Sequence, residues 1–365
     1  MPAFRAGAVP HGKLGPVDGV WVMELDGTAE ERGRAAGTLV GEQVRWLLPR
    51  FLKQVASVER LSPYQKEMVA GIASEVPSAH FNQLNALAET AGVDRTALFA
   101  ANLAPEAFAA MACSCLATLP ARAGDGKTLL ARNLDWQGGG LLAAAGLLVI
   151  ESGHGHRFAS FTWPGMVSVA TGMNDAGLTV ADLMALGAEA GRPRPGVPVL
   201  FLVRALLEET DSAEAALAYL AGARRTIPQN YTLVDPTSAT FVEAGTRSLR
   251  VRHNSNGLAA MTNFWHEEGG GAQDRRYGQM LKMAGQDKLG VSQLQAILAE
   301  AALGDMNVQA VVLEPEARRA HVAQGKPPVA AGTWHTLDLR PWLSTPEKPP
   351  AVENPAGAGH RPLGP

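Results

Sequence analysis

The sequence predicts an α+β fold in which two mainly antiparallel sheets stack face to face and carry helices on their outer sides. Three observations lead there. About the first 110 residues are mostly helical in pattern, the chain from Cys113 onwards changes to short strand-like runs between turn residues, and helical pairs interrupt those runs near 199–222 and 275–302. Blocks of strands alternating with blocks of helices, rather than strand with helix one by one, are the mark of an α+β architecture.

The elements follow in order. After a lead-in containing Gly and Pro, Val20–Leu25 reads as a strand, and Thr28 followed three residues later by Glu31 forms a capping box that starts a helix running towards Leu48. Apolar residues at helical spacing mark 63–73, 78–91 and 95–104, separated by Pro77 and by Gly92, Val93 and Asp94. Next, 116–119 and 128–134 suit two strands joined through Gly124, Asp125 and Gly126. A turn centred between Gly124 and Asp125 sets position 113 opposite position 136. Cys113 and Asp135 become near neighbours, Cys113 and Cys115 share a face, and Arg132 lies on the face opposite Asp135 unless a bulge intervenes. Strand geometry alone therefore leaves Arg132 outside a site.

Further strands are predicted at 147–151, 158–162, 167–171 and 178–183, with a turn over 172–177. Helices follow at Val199–Glu209 and, capped by Asp211 and Ser212, to near Gly222. Strands return at 231–234, 240–244, 248–252 and 258–262. Helices at 275–284 and 292–302 come next, then a hairpin over 308–314 and 319–324 and a strand at 333–339. The tail, 345–365, is rich in Pro and Gly and reads as disordered.

Composition limits the function classes. The 365 residues, 46% hydrophobic, can bury a large core. A net charge of -3 from 32 basic and 35 acidic residues, with no basic run, argues against nucleic acid as a partner. Residues 1–17 lack the apolar core of a secretory signal, and the longest apolar run, 141–150, is too short to cross a bilayer. The sequence as given thus reads as cytoplasmic, or as periplasmic or secreted if a signal has been removed. The only two cysteines, Cys113 and Cys115, are too close for an ordinary loop-closing disulfide and lack a second Cys or Cys/His pair for zinc, so no metal or cofactor is expected. Gly138 to Gly140 lack the spacing of a phosphate loop, and His154 and His156 read as surface residues of a turn.

Cys113-Ser114-Cys115-Leu116, the Gly124-Asp125-Gly126 turn and Arg132-Asn133-Leu134-Asp135-Trp136 resemble the segment that opens the catalytic chain of cysteine-type N-terminal nucleophile hydrolases. Within that superfamily the sequence resembles the penicillin acyltransferase family, related to bile salt hydrolases and acid ceramidases. Gly172 to Leu178 looks like the family's Gly-Met-Asn-Glu-x-Gly-Leu turn, Asn230 to Asp235 like its Asn-containing strand, and Met261-Thr262-Asn263 like its Thr-Asn element. Met184 stands where bile salt hydrolases carry a site asparagine.

The resemblance implies a four-layer αββα sandwich and three stretches: a helical propeptide or small subunit (1–112), a catalytic region (113–344) and the tail. It implies self-cleavage between Ala112 and Cys113, after which the processed chains stay together; a homo-oligomer is left open. Cys113, 19 residues before Arg132, is favoured as nucleophile over Cys115, 17 before it. The new α-amino group at Cys113, with a reference pKa of about 7.7–8.0, can take the thiol proton, so no catalytic histidine is needed. By the same resemblance Asp135 orients that amine, Arg132 stabilises thiolate or carbonyl charge, and Asn230 donates to the oxyanion. Asn174, Asn263 and Arg276 are candidate substrate contacts, with a turn-forming role favoured for Asn174 and a strand-end role open for Asn263. The expected substrate is a small linear N-acyl amide, hydrolysed or used to acylate an amine. The alternative is a binding protein of the same fold that never cleaves.

Overall fold

Two sheets, one of ten strands and one of six, organise the computed structural model, which describes residues 1–56, 63–108, 111–137, 139–186, 193–252, 256–265 and 274–343. The predicted disordered tail lies outside these residues. The N-terminal part contains β1 (Gly7–Val9), β2 (Gly12–Val17), β3 (Val20–Leu25), α1 (Ala29–Ala56), α2 (Pro63–Ala73), α3 (Ser78–Ala91), α4 (Arg95–Asn102) and α5 (Ala104–Phe108). Then come β4 (Met111–Thr118), β5 (Leu129–Trp136), α6 (Gly139–Ala143), β6 (Leu147–Glu151), β7 (Phe158–Thr162), β8 (Thr171–Asn174) and β9 (Thr179–Met184). The helices α7 (Val199–Glu209) and α8 (Ala213–Gly222) precede β10 (Gln229–Val234), β11 (Ala239–Ala244), β12 (Leu249–Arg252) and β13 (Leu258–Met261). Last are α9 (Arg275–Ala284), α10 (Val291–Ala301), β14 (Asn307–Glu314), β15 (Arg319–Gln324), β16 (Thr333–Asp338) and α11 (Arg340–Leu343).

The larger sheet runs β1-β2-β3-β6-β7-β8-β9-β10-β11-β12 and the smaller β13-β4-β5-β14-β15-β16; every pairing is antiparallel except β3 with β6. The two sheets face each other across β4 and β9, and α7 and α8 cover the outer side of the larger sheet. On the far side α9 and α10 cover the smaller one. Alternation along each strand divides the side chains accordingly. Cys113, Cys115, Leu134 and Leu183 enter the core between the sheets, Leu116, Leu129 and Ala131 pack under α9 and α10, and Val180, Tyr231 and Leu233 pack under α7 and α8.

Several expectations are corrected. The lead-in forms β1 and β2, which extend the larger sheet at its edge, so the N-terminal stretch is not only helical. No strand forms at 167–170: the Asn102 carbonyl oxygen of the side chain accepts from Val167 N and Ser168 N, and Val169 N donates to Leu200 O, which uses the groups a strand would pair. The β4–β5 register sets Cys113 opposite Leu134 and Ala112 opposite Asp135, two positions from the expected pairing. The cause lies in the connection. Ala123 N bonds back to Leu119 O and Gly124 N to Leu289 O, so the loop contains two successive turns, and only Gly126 of the two glycines has a positive φ, at 76°.

The N-terminal stretch is joined to the rest by more than β3. Arg32 of α1 and Arg204 of α7 both reach Glu151 at the end of β6, at 3.0 and 2.7 Å, and Arg204 Nε lies 2.9 Å from Glu208. His80 of α3 holds the other Glu208 oxygen at 2.8 Å, and all five side chains are buried.

Candidate active site

Cys113 lies near the start of β4, fully enclosed between the sheets. The parity that puts Cys113 and Cys115 on the inner face also sends Arg132 there, because Arg132 pairs with Cys115 across the hairpin. Its Nη2 lies 3.5 Å from Cys113 Sγ and donates to Asp182 O at 3.0 Å, while Nη1 donates to Gln309 Oε1 at 3.2 Å. Burial pushes the Cys113 thiol pKa up, and the neighbouring Arg132 charge opposes that rise. Cys115 is pushed up to about 12 by the same burial. Arg132 is thus the cation that favours a thiolate at position 113.

Asp135 points the other way, towards the end of α10. One carboxylate oxygen accepts from Asn307 Nδ2 at 3.0 Å and from Leu303 N at 3.2 Å. Its Oδ2 is buried with no hydrogen-bond partner among the described residues, and Arg276 Nη1 stands 3.7 Å from it. Burial raises the Asp135 pKa, with the Asn307 and Leu303 hydrogen bonds opposing. Asp135 stands opposite Ala112 across the hairpin.

A bulge in β14 serves both faces at once. The register passes from Asn307 opposite Asp135 to Gln309 opposite Leu134, so two residues that would share a face in a regular strand face opposite ways. Asn307 bonds Asp135 and Gln309 bonds Arg132.

On the other flank, β13 pairs with β4 with Met261 opposite Cys115, and the continuing chain places Asn263 beside Cys113. The Cys113 N–H donates to Asn263 Oδ1 at 2.8 Å. Arg276, at the first turn of α9, donates to Asn263 Oδ1 at 2.9 Å and to Cys113 O at 3.2 Å, and is braced by Asp274 at 2.8 Å. Asn230 is next to this group: its Nδ2 donates to Thr262 O at 2.9 Å, and its Oδ1 is buried with no hydrogen-bond partner among the described residues.

The structure does not bring Asn174 to this group. Its Nδ2 donates to Leu207 O and Thr210 O and its Oδ1 accepts from Ala176 N and Leu178 N, so it ties the β8–β9 turn to the end of α7 and has nothing left for a substrate.

Asp182, Asn307 and Gln309 belong to the group and escape sequence reading. Asp182 Oδ1 lies 3.6 Å from Arg132 Nη2, and Gln229 donates to Oδ2 at 2.6 Å. Burial pushes its pKa up to about 6 against Arg132 and Gln229. Each is a polar residue in a strand buried along its whole length, which is the signal that could have found them.

An apolar cleft opens between the N-terminal stretch and the hairpin. Leu47, Leu48 and Phe51 of α1 and Leu98 of α4 form one side; Trp136, Leu142 and Trp163 form the other. Trp136 is at the end of the strand face that also carries Arg132, and its ring meets Phe51 and Trp163 edge-on at 5.3 and 5.9 Å. Among the described residues no group of three or more His, Cys, Asp or Glu could hold a metal ion, and no helix is long and apolar enough to cross a membrane.

The family profile of acyl-coenzyme A:6-aminopenicillanic acid acyl-transferase matches residues 122–280. That match takes in Arg132, Asp135, Asp182, Asn230, Asn263 and Arg276 and begins after Cys113. An uncharacterized protein of Archaeoglobus fulgidus is 23% identical over 257 residues, 62% of this chain and 43% of that protein. Protein dcd1B of Dictyostelium discoideum is 25% identical over 233 residues, 57% and 46% of the two chains. The chain spans about half the length of the curated relatives it matches. A solved structure of a Caenorhabditis elegans N-acylethanolamine-hydrolyzing acid amidase ortholog aligns over 56% of this chain and 93% of its own, at 17% identity and a TM-score of 0.47. The chain resembles the penicillin acyltransferase family of cysteine-type N-terminal nucleophile hydrolases.

Proposed function

We propose that this chain is a self-processing cysteine hydrolase of linear amides that forms its acyl-enzyme on Cys113. The observation that carries the reading is the placement of Arg132 at 3.5 Å from Cys113 Sγ, together with a buried Asp135, opposite Ala112, whose Oδ2 has Arg276 at 3.7 Å and no hydrogen-bond partner among the described residues. In the first reaction the thiol adds to the Ala112 carbonyl carbon, the Ala112–Cys113 C–N bond breaks, and the nitrogen, which keeps its own hydrogen, takes the thiol proton to become a primary amine. Water then opens the thioester, restoring the thiol and leaving Ala112 as a carboxylate. The same peptide N–H that donates to Asn263 becomes the amine, and Asp135, opposite Ala112 in the hairpin, is the carboxylate that would turn to orient it.

That amine accepts the thiol proton when Cys113 attacks a substrate amide and returns it to the departing amine. Arg132 supports the thiolate, and Arg276 steadies the backbone at Cys113 O. A second nucleophile, water or an amine, resolves the thioester into an acid or a new amide. Asn230 is one bond removed, on Thr262 O, and its role as oxyanion donor requires that amide to turn towards the substrate. The lining of Phe51, Trp136 and Trp163 is apolar, which suits a fatty or aromatic acyl group, but its cavity of about 20 Å³ holds about one water, so these side chains would have to move apart to admit one. After cleavage β3 still pairs with β6 and the buried charges of Arg32 and His80 remain engaged, which supports two chains that stay associated.

Intact mass under denaturing conditions tests the proposal. Two fragments, 1–112 and 113–365, are expected from the native sequence and one full-length species from Cys113→Ala. A native chain that stays whole, and that no N-acyl amide acylates at Cys113, sinks the hydrolase and leaves the binding-protein reading.

A further inference from the structure

Glu106 of α5 is a buried acid that the proposed chemistry does not use. Its Oε1 accepts from Val199 N, the first N–H of α7, at 2.7 Å and from Thr226 Oγ1 at 2.7 Å. Pro198, the residue before α7, provides no side-chain cap, so Glu106 caps that helix from a distant part of the chain. Its Oε2 is buried without a hydrogen-bond partner among the described residues.

The position of this contact along the chain matters. Glu106 precedes the Ala112–Cys113 peptide by only six residues, and α7 lies on the outer side of the larger sheet while β4 belongs to the smaller one. Met111 and Ala112 pair with Trp136 and Asp135 in the hairpin. Downstream of the bond, Asn263 and Arg276 fix the Cys113 N–H and C=O. Upstream, α5 is held to α7 through Glu106. Attack by the thiol on the preceding carbonyl needs that carbonyl in a near-attack position, which a peptide anchored on both sides supplies and a loosely held one does not.

We propose that Glu106 is a positioning residue for self-cleavage: by capping α7 and accepting from Thr226 it anchors the segment that carries the Ala112 carbonyl to Cys113. This rests on the self-processing reading above. Once the bond is cut, the same contact keeps the new C-terminal end of the 1–112 chain at the site.

Cleavage is followed by intact mass after a pulse of cell-free synthesis, so that the uncut chain is seen. Glu106→Ala is expected to slow cleavage by about tenfold, since it removes both hydrogen bonds that Oε1 accepts. Thr226→Val, which removes one of the two donors with little change of shape, should slow it by a smaller factor, about threefold. Glu106→Gln keeps an acceptor oxygen for both donors and should cleave within about threefold of the native chain, a rescue that a bulk loss of stability would not give. The double variant Glu106→Ala with Thr226→Val should be no slower than Glu106→Ala alone, because both changes remove one interaction. Native-rate cleavage by Glu106→Ala, a Gln variant as slow as the Ala variant, or independent multiplication of the two effects would each overturn the assignment. A native chain that never cleaves removes the self-processing reading itself, and this assignment with it, whereas a cleaving native chain with unaffected variants removes only the role of Glu106.

Discussion

Replacing Arg204 with Met tests how strongly the N-terminal stretch is bound to the rest. The guanidinium is fully buried, bridges both oxygens of Glu151 at 2.7 and 3.2 Å, reaches Glu208 at 2.9 Å and donates to Val167 O at 2.8 Å. Met fills a similar volume, so the loss is mainly electrostatic. Burial alone would raise the Glu208 pKa, but Arg204 and the His80 hydrogen bond bring it down to about 2 from 4.5. That difference corresponds to on the order of 3 kcal/mol for one carboxylate. Breaking a buried pair by removing one partner costs about 3–5 kcal/mol in general, and the two figures agree. Glu151 would retain Arg32, and Glu208 would retain His80, whose pKa burial and Arg204 both lower.

We therefore expect Arg204→Met to destabilise the chain by about 3–5 kcal/mol at pH 7.5. Urea unfolding in a Cys113→Ala background, where one uncut chain unfolds, measures it, with an unchanged dependence on urea showing that the same surface is exposed. The deficit should narrow towards pH 5, because the carboxylates released from Arg204 remain buried and take up protons more readily. A loss below about 1 kcal/mol, the range of exposed ion pairs, would refute the reasoning and show the cluster to be solvated.

Three further outcomes follow from the site. Burial raises Asp182 from 3.8 to about 6 and Glu106 from 4.5 to about 7, so the stabilisation tied to their neutral forms is full below about pH 4 and lost as pH rises through 6 and 7. The thermal midpoint of the uncut chain should rise between pH 8 and pH 5, with Asp182→Asn or Glu106→Gln flattening the slope, and a midpoint that falls over this window contradicts the assignment. Cys115→Ala should leave cleavage in place, with Edman sequencing of the larger fragment beginning at Cys113; a native fragment beginning at Cys115 would move the nucleophile. Asp135→Asn should slow amide turnover by about 10–100-fold through the lost charged hydrogen bond to the new amine, and an unchanged rate would deny Asp135 that role.

Strands whose apolar residues form a short run between turn residues were legible to within a residue or two, as Phe158–Thr162 and Arg319–Gln324 illustrate. Strands held by other means were not. Gly12–Val17 contains two glycines and a proline, poor strand formers in isolation, and exists because β1 and β3 pair with it on both sides. Conversely 167–170 is apolar enough for a strand, yet the buried Asn102 side chain, some 65 residues earlier in the chain, takes its N–H groups.

The hairpin shows why the site was partly readable even though its register was not. A slip of two residues moves every partner but leaves each side chain on its own face, whereas a slip of one would have exchanged the faces. Cys113, Cys115 and Arg132 therefore share the inner face in either pairing and Asp135 takes the other, which corrects the expectation that strand geometry leaves Arg132 outside a site. What no local pattern contains is the convergence from β9, β13 and β14. Asp182 reaches Arg132 from the opposing sheet, Asn263 flanks Cys113 only because β13 pairs with β4, and Asn307 and Gln309 divide between the two faces only because of a bulge. The placement of Cys113 and Arg132 is thus set by the alternation of one hairpin, while the groups around them depend on sheet stacking. Substitutions in β9 or β14 should accordingly alter the reactivity of Cys113 without touching it, through the position and charge balance of Arg132.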